Sequence, residues 1–143
     1  MKSNIETILA EKGEVMACTA GSSMYPMLRH RQDMIVLETV KRPLKKYDVP
    51  LYRLDSGKLV LHRIIKVKPD VYVIRGDNLV TTEYIRPDQI IGVLKAFYRG
   101  GVFVDCETNK IYKIYIRIIR CIYWPKLLKR KLLTYISKHK KTP

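Results

Sequence analysis

Cysteine is scarce in this chain of 143 residues. There are three, Cys18, Cys106 and Cys121, an odd number with no C-x-x-C pair. That argues against a disulfide framework and against a zinc site, and three free thiols fit a cytoplasm-facing protein best. Long apolar runs are absent too, since no stretch reaches the roughly 18 to 20 residues of a spanning helix. The opening "MKSNIETILAEKGEV" lacks the apolar core of a secretory signal, so no signal peptide is expected. Acidic residues are missing from one region altogether. From Lys110 onward there are eleven basic residues and no acidic one, so most of the net charge of +15 belongs to the tail. An anionic partner should meet the tail.

An apolar share of 47% suffices for one compact domain with an appendage. Near the start, Ser3 and Glu6 have capping-box spacing, Ile5, Ile8 and Leu9 share a face, and Gly13 follows as a stop, which predicts a short helix. Residues 15 to 105 carry the punctuation of antiparallel strands. "VMACTA" and "DMIVLE" flank a serine-containing turn, and "VPLYRL" and "KLVLHRIIKV" are separated by Asp55, Ser56 and Gly57. "KVKPDVYVIRG" reads as two strands around a turn at Pro69 and Asp70. "IIGVLKAFYR" meets "VFVDC" across Gly100 and Gly101. Pro50, early in its strand, predicts an edge or a bulge. The expected fold is mostly β, a small antiparallel meander or barrel-like sheet with small helical additions.

The segment "GSSMYPML", residues 21–28, is poor helix and poor strand, yet it holds two hydroxyls at a bend. Such a pair is ordinarily loop chemistry. A serine becomes a nucleophile only when a base takes its proton. The chain has three histidines to offer, His30, His62 and His139. His30 lies in a charged run and His139 in the basic tail. His62 alone sits among strand residues, in "LVLHRII", with a reference pKa that suits a base at neutral pH. A lone strand histidine is more often a packed core residue, and "RGDN" at 75–78 is first of all a turn former. It is the combination that points to a site.

"GSSMYPML" resembles the S-G-S-M-x-P-x-L signature of type I signal peptidases, a superfamily that includes the self-cleaving SOS repressors. "RQDMIVLE" is similar to the family's G-D-x-V-x-V strand, and "KKYDVPLY" to its second G-D-hydrophobic strand. "KLVLHRII" has histidine where the bacterial enzymes have lysine, like the V-H-R-V of the endoplasmic-reticulum and archaeal branch, whose T-K-G-D-N segment "VIRGDNLVTTEYI" also resembles. The motifs run in order from about residue 15 to residue 95. The resemblance implies a signal-peptidase-type sheet, with residues 1–105 as a catalytic domain and 106–143 as a basic amphipathic extension. It implies Ser23 as nucleophile and His62 as general base. Asp77 or Glu83 would supply the carboxylate that orients the imidazole, an alternative the sequence leaves open. The N–H of Ser23, assisted by the Ser22 hydroxyl, would bind the oxyanion. Two departures stand out: Gly21 replaces the family's first serine, and Glu83 replaces an aspartate. No cofactor and no metal are implied.

The family carries a membrane anchor before the serine, whereas 22 residues precede Ser23 here, so any anchor is expected elsewhere. In "KIYKIYIRIIRCIYW" the cations Lys110, Lys113, Arg117 and Arg120 recur at helical intervals as one polar stripe. Pro125 should end that helix, about 22 Å long, before a second amphipathic segment begins. Alternating isoleucine and tyrosine leave a strand as the other reading. The expected partners are a peptide or precursor protein and an anionic membrane surface, met through Lys113, Arg117, Arg120 and Trp124. High isoleucine content argues against nucleic acid. The expected location is cytoplasmic or peripheral to a membrane. Two functions emerge: a serine endopeptidase that removes a signal or leader segment through an acyl-enzyme, or a catalytically inactive module of the same fold that binds a membrane or partner through its tail.

Overall fold

The computed structural model describes residues 4–139, and the side chains of Arg120 and His139 lie outside what it describes, as does Ser3 with its predicted capping box. Helix α1 (Asn4–Lys12) ends where Gly13 turns left-handed at φ 73°, its N–H donating to the Leu9 carbonyl. That backbone conformation explains why glycine is the stop. Leu9 is buried against the sheet, with Ile5 and Ile8 packed beside it.

Nine strands follow: β1 (Glu14–Cys18), β2 (Met34–Glu38), β3 (Pro50–Arg53), β4 (Leu59–Leu61), β5 (Arg63–Val67), β6 (Tyr72–Arg75), β7 (Glu83–Ile85), β8 (Ile90–Arg99) and β9 (Val102–Asp105). All of their pairings are antiparallel. The larger sheet runs β1-β2-β8-β3-β4, with β9 also on β8, and the smaller runs β5-β6-β7. The sheets form no closed barrel and no simple meander, because β8 inserts between β2 and β3. Its early residues pair with β3 and its later ones with β9. β3 is therefore internal. Its Pro50 is tolerated at the first strand position, and the ladder shifts register between Leu51 and Tyr52. The predicted strand "LVLHRII" is likewise interrupted. The chain leaves the larger sheet after Leu61 and enters the smaller one at Arg63, so His62 sits at the joint between them.

Two apolar clusters result. One packs α1, the serine turn and the larger sheet around Leu37, Leu51 and Phe97. The other lies between the sheets around Tyr52, Ile64 and Ile74.

The tail forms one helix, α2 (Lys110–His139), where two were expected. Pro125 removes one N–H, and the carbonyl it leaves without a partner belongs to Cys121, an exposed residue where water is available. The leucines, lysines and arginine that follow are strong helix formers and carry the helix on. Its first turns are fixed to the sheets: Tyr112 and Ile119 are buried, and Arg75 stacks 3.5 Å from the Tyr123 ring centroid. Ile118, next to Ile119, points to solvent. Ile119→Ala should therefore cost about 2–4 kcal/mol of stability, and Ile118→Ala less than about 0.5 kcal/mol. Urea unfolding of the two variants checks this, and equal losses would contradict the packing.

Candidate active site

The loop between β1 and β2 is anchored on either side of its two hydroxyls. Met24, Met27 and Leu28 are buried in the first core cluster, which accounts for the apolar half of "SSMYPML". At the loop base the Thr19 hydroxyl donates to the carbonyls of Arg29 (2.6 Å) and Asp33 (3.1 Å). Asp33, wholly buried, accepts the Arg29 N–H and guanidinium at 2.7 Å each. Burial would raise the Asp33 carboxyl, but the hydrogen bonds from Arg29 outweigh it and hold the group below its ordinary value. The charged run "RHRQD" is thus partly a clasp.

From the other side the "RGDN" turn closes on Ser23. Asn78 N–H donates to the Ser23 carbonyl at 2.8 Å, and its side-chain amide donates to the Ser22 carbonyl at 3.3 Å. Gly76 is required by this approach, since a Cβ there would come within 2.6 Å of the Ser23 carbonyl oxygen. Gly21 has φ 85°, a conformation that disfavours the serine found there in the resembling family. Its N–H donates to His30 Nδ1 at 2.7 Å, so that exposed histidine serves the loop. Among the described residues neither the N–H nor the hydroxyl of Ser23 has a hydrogen-bond partner.

Ser22, Ser23, His62 and Glu83 line one cleft of about 520 Å³, whose walls include Ala17 and Cys18 of β1 and Leu59, Val60 and Leu61 of β4. These are the two outer strands of the larger sheet, so the cleft lies between its open edges. No hydrogen bond joins Ser23 to His62 among the described residues. Catalytic contacts commonly tighten only when substrate is bound.

His62 is 5% exposed, and its Nδ1 lies 2.9 Å from the Tyr52 hydroxyl and 3.3 Å from Glu83 Oε2. The Tyr52 hydroxyl donates to Glu83 Oε2. Burial, followed by the Glu83 carboxylate, pushes the Tyr52 phenol well above its ordinary value, so it stays protonated. A phenol has one proton. With that proton on Glu83, the Tyr52 oxygen must accept from Nδ1–H of His62, and Nε2 keeps its lone pair. Burial lowers the His62 pKa from 6.5, partly offset by the Glu83 charge and hydrogen bond. The imidazole is consequently neutral at pH 7. Tyr52 was not singled out in the sequence. Its one signal there is a tyrosine among aliphatic strand residues, which needs a partner for its hydroxyl once buried.

Asp77 serves elsewhere. Its carboxylate meets the Arg63 guanidinium at 2.7 and 2.8 Å, both side chains being buried. Tyr115 of α2 donates to the same carboxylate at 2.9 Å, and Arg63 donates to the Tyr112 hydroxyl at 2.9 Å. Burial alone would lower the Arg63 pKa, and Asp77 reverses that and holds it above its ordinary value. Of the two carboxylates left open by the sequence, Glu83 is therefore the one at the imidazole, and Asp77 supports the turn under Ser23.

No protein-family model matches this chain, and none of the curated proteins matches it. Among the described residues no group of three or more His, Cys, Asp or Glu side chains is placed to hold a metal ion. Lys113, Arg117 and Trp124 of the predicted membrane-binding set are exposed on α2, away from the cleft lining.

Two outcomes follow from the two carboxylates. Asp77→Asn should cost about 3 kcal/mol in urea unfolding, because it leaves Arg63 buried without its counter-charge. The Nδ1-protonated form of His62, read by nitrogen NMR, should persist in that variant. Glu83→Gln should instead lower the His62 midpoint further below 6.5, since the carboxylate is what raises it. For the wild type the depressed pKa means that the His62 contribution to stability is present above pH 6.5 and is lost as pH falls through the folded-state value.

Proposed function

We propose that this protein is a serine endopeptidase that removes a signal or leader segment from a precursor peptide. One observation carries the reading: Ser23 and His62 line the same cleft, and Nδ1 of His62 is held by Tyr52 and Glu83. A packed core histidine has no need of that arrangement beside a displayed serine. The resemblance of four ordered sequence motifs to signal peptidases supports the same assignment.

In the proposed reaction His62 Nε2 takes the Ser23 Oγ proton as Oγ attacks the scissile carbonyl carbon. The developing oxyanion receives the Ser23 N–H, with the neighbouring Ser22 hydroxyl as a second donor. Collapse breaks the C–N bond, and the imidazolium returns its proton to the leaving amine. Water, activated by the same nitrogen, then cleaves the acyl-serine ester. Glu83 stabilises the transient imidazolium through Tyr52, which holds the ring in its Nδ1–H form. Tyr52 is a positioning residue here, because it acts through His62. The cleft between two open sheet edges suits an extended peptide adding as a strand. A preference for small residues beside the cut follows from the family resemblance.

The test is cleavage of a mixed peptide library by the purified protein beside Ser23→Ala and His62→Ala. Loss of the same cuts in both variants is the expected result. Cuts that survive both would assign the activity to another nucleophile, and no cutting by the wild type would favour the inactive binding module. Activity should rise with pH as His62 deprotonates, with a midpoint below 6.5. Tyr52→Phe should lower kcat by about ten- to a hundredfold, the worth of one hydrogen bond to a charged group, and shift that midpoint. A Tyr52→Phe enzyme with an unchanged pH profile would reduce Tyr52 to a packing residue.

A further inference from the structure

One flank of α2 carries apolar residues along most of its length, and among the described residues nothing covers them. The inner side of the helix is committed, through Tyr112, Tyr115 and Ile119, to the sheets. At 100° per residue, Ile111, Ile114, Ile118, Ile122, Leu132 and Ile136 share one stripe on a flank, roughly a quarter-turn round from the sheet-facing residues. All six are exposed, Ile111 by 78% and Leu132 by 59%. The stripe extends for roughly 40 Å on a helix rising 1.5 Å per residue, and such a contiguous apolar surface marks an interaction site.

The charges beside it select the occupant. Lys110, Lys113 and Arg117 line one margin together with Trp124, which is 65% exposed. Lys129 interrupts the stripe, with a side chain long enough to carry its charge to the edge. No acidic residue occurs from Lys110 to the end of the chain. A second copy seated on this face would therefore bring the two cationic sets together with no carboxylate from either helix to pair them. The occupant has to be apolar at its centre and anionic at its margins over a long, straight contact. A bilayer surface containing anionic lipid has that character, and an exposed tryptophan at the margin suits the headgroup level. Among the described residues no helix is long and apolar enough to cross a membrane.

We infer that α2 seats its exposed isoleucine stripe in the surface of an anionic bilayer, lying in the membrane plane. The contact is independent of the peptidase reading, because no residue of the stripe lines the cleft. The two are nonetheless mechanically joined. Tyr115 is bonded to Asp77, and Lys126 donates to the Asn78 side chain at 3.2 Å, so the seated helix grips the turn that supports Ser23.

Trp124 is the single tryptophan and reports on the contact directly. The full chain is titrated with vesicles of phosphatidylcholine alone and with vesicles that also contain phosphatidylserine. Expected is a blue shift of Trp124 emission, with co-sedimentation, on the anionic vesicles only. Lys113→Gln with Arg117→Gln should weaken this binding, by about fivefold per cation removed. Ile114→Gln with Ile118→Gln, both on the exposed face, should weaken it by about tenfold or more, on the basis of the apolar area withdrawn from lipid. Circular dichroism and urea unfolding check that the variants fold as the wild type does. Binding that ignores the isoleucine pair and vanishes in salt would be plain electrostatic adsorption and would overturn the seat. Equal binding to neutral vesicles would overturn the charge selection. No binding to either, with self-association in sedimentation velocity, would assign the stripe to a protein contact instead.

Discussion

The buried pair of Arg63 and Asp77 is the constraint on which the remaining geometry depends. Arg63 begins β5, Asp77 sits in the turn after β6, and Tyr112 and Tyr115 bring α2 onto both. Three separate parts of the chain are thereby fixed to one charge pair. Burying such a pair costs about as much in desolvation as the attraction returns, so its value lies less in net stability than in specifying one arrangement. Removing either partner leaves a charge with no solvent to take it. The turn held by Asp77 is the one whose Gly76 and Asn78 close on the Ser23 carbonyl. The position of the serine is thus set from a distance, through backbone contacts, by a carboxylate that does not touch the imidazole.

A second constraint is the open larger sheet. Closing it would pair β1 with β4 and fill the space that Ser23 and His62 share. Leaving it open exposes two strand edges, which proteins ordinarily cover or interrupt. A strand added at an open edge would complete the backbone pairing that the edge lacks. The catalytic proposal and the unfinished sheet are in that sense one argument, since a closed barrel would have a core histidine and no cleft.

Much of this was legible in the residues, and what was not has physical causes. The hairpins, the first helix and its Gly13 stop were readable because turn chemistry and side-chain period are local. The insertion of β8 between β2 and β3 was not, because pairing order depends on contacts far apart in sequence. Ser23 and His62 could be proposed from residue type and motif, but the choice between Asp77 and Glu83 could not. Both are single carboxylates in a strand–turn segment, and only the fold decides which one an imidazole meets. Tyr52 was invisible for a related reason: a strand tyrosine looks like packing until its hydroxyl is seen between two other groups. In the tail, the pattern of isoleucines and tyrosines gave the helix and its amphipathic character. It did not reveal that the apolar residues serve two sides, one for the sheets and one for solvent. Pro125 does not end the helix, because its lost hydrogen bond falls where water can replace it.

His62 and Arg63 are neighbours in sequence, and their separation shows how one short segment maintains two electrostatic regimes. Successive residues of an extended chain point to opposite sides. His62 turns to the cleft with Tyr52 and Glu83, while Arg63 turns the other way to Asp77, Tyr112 and Tyr115. On the Arg63 side the charge is permanent, since an arginine paired with a carboxylate does not titrate in the working range. On the His62 side burial keeps the ring neutral, and the carboxylate within reach is the one that would favour its charging. A buried carboxylate placed against the ring would favour the charged imidazolium more strongly than the half-exposed Glu83 does. Assigning the buried, fully paired carboxylate to Arg63 and the half-exposed Glu83 to His62 leaves the imidazole neutral at rest and stabilised once it is charged. Those are the two states a general base must occupy in turn.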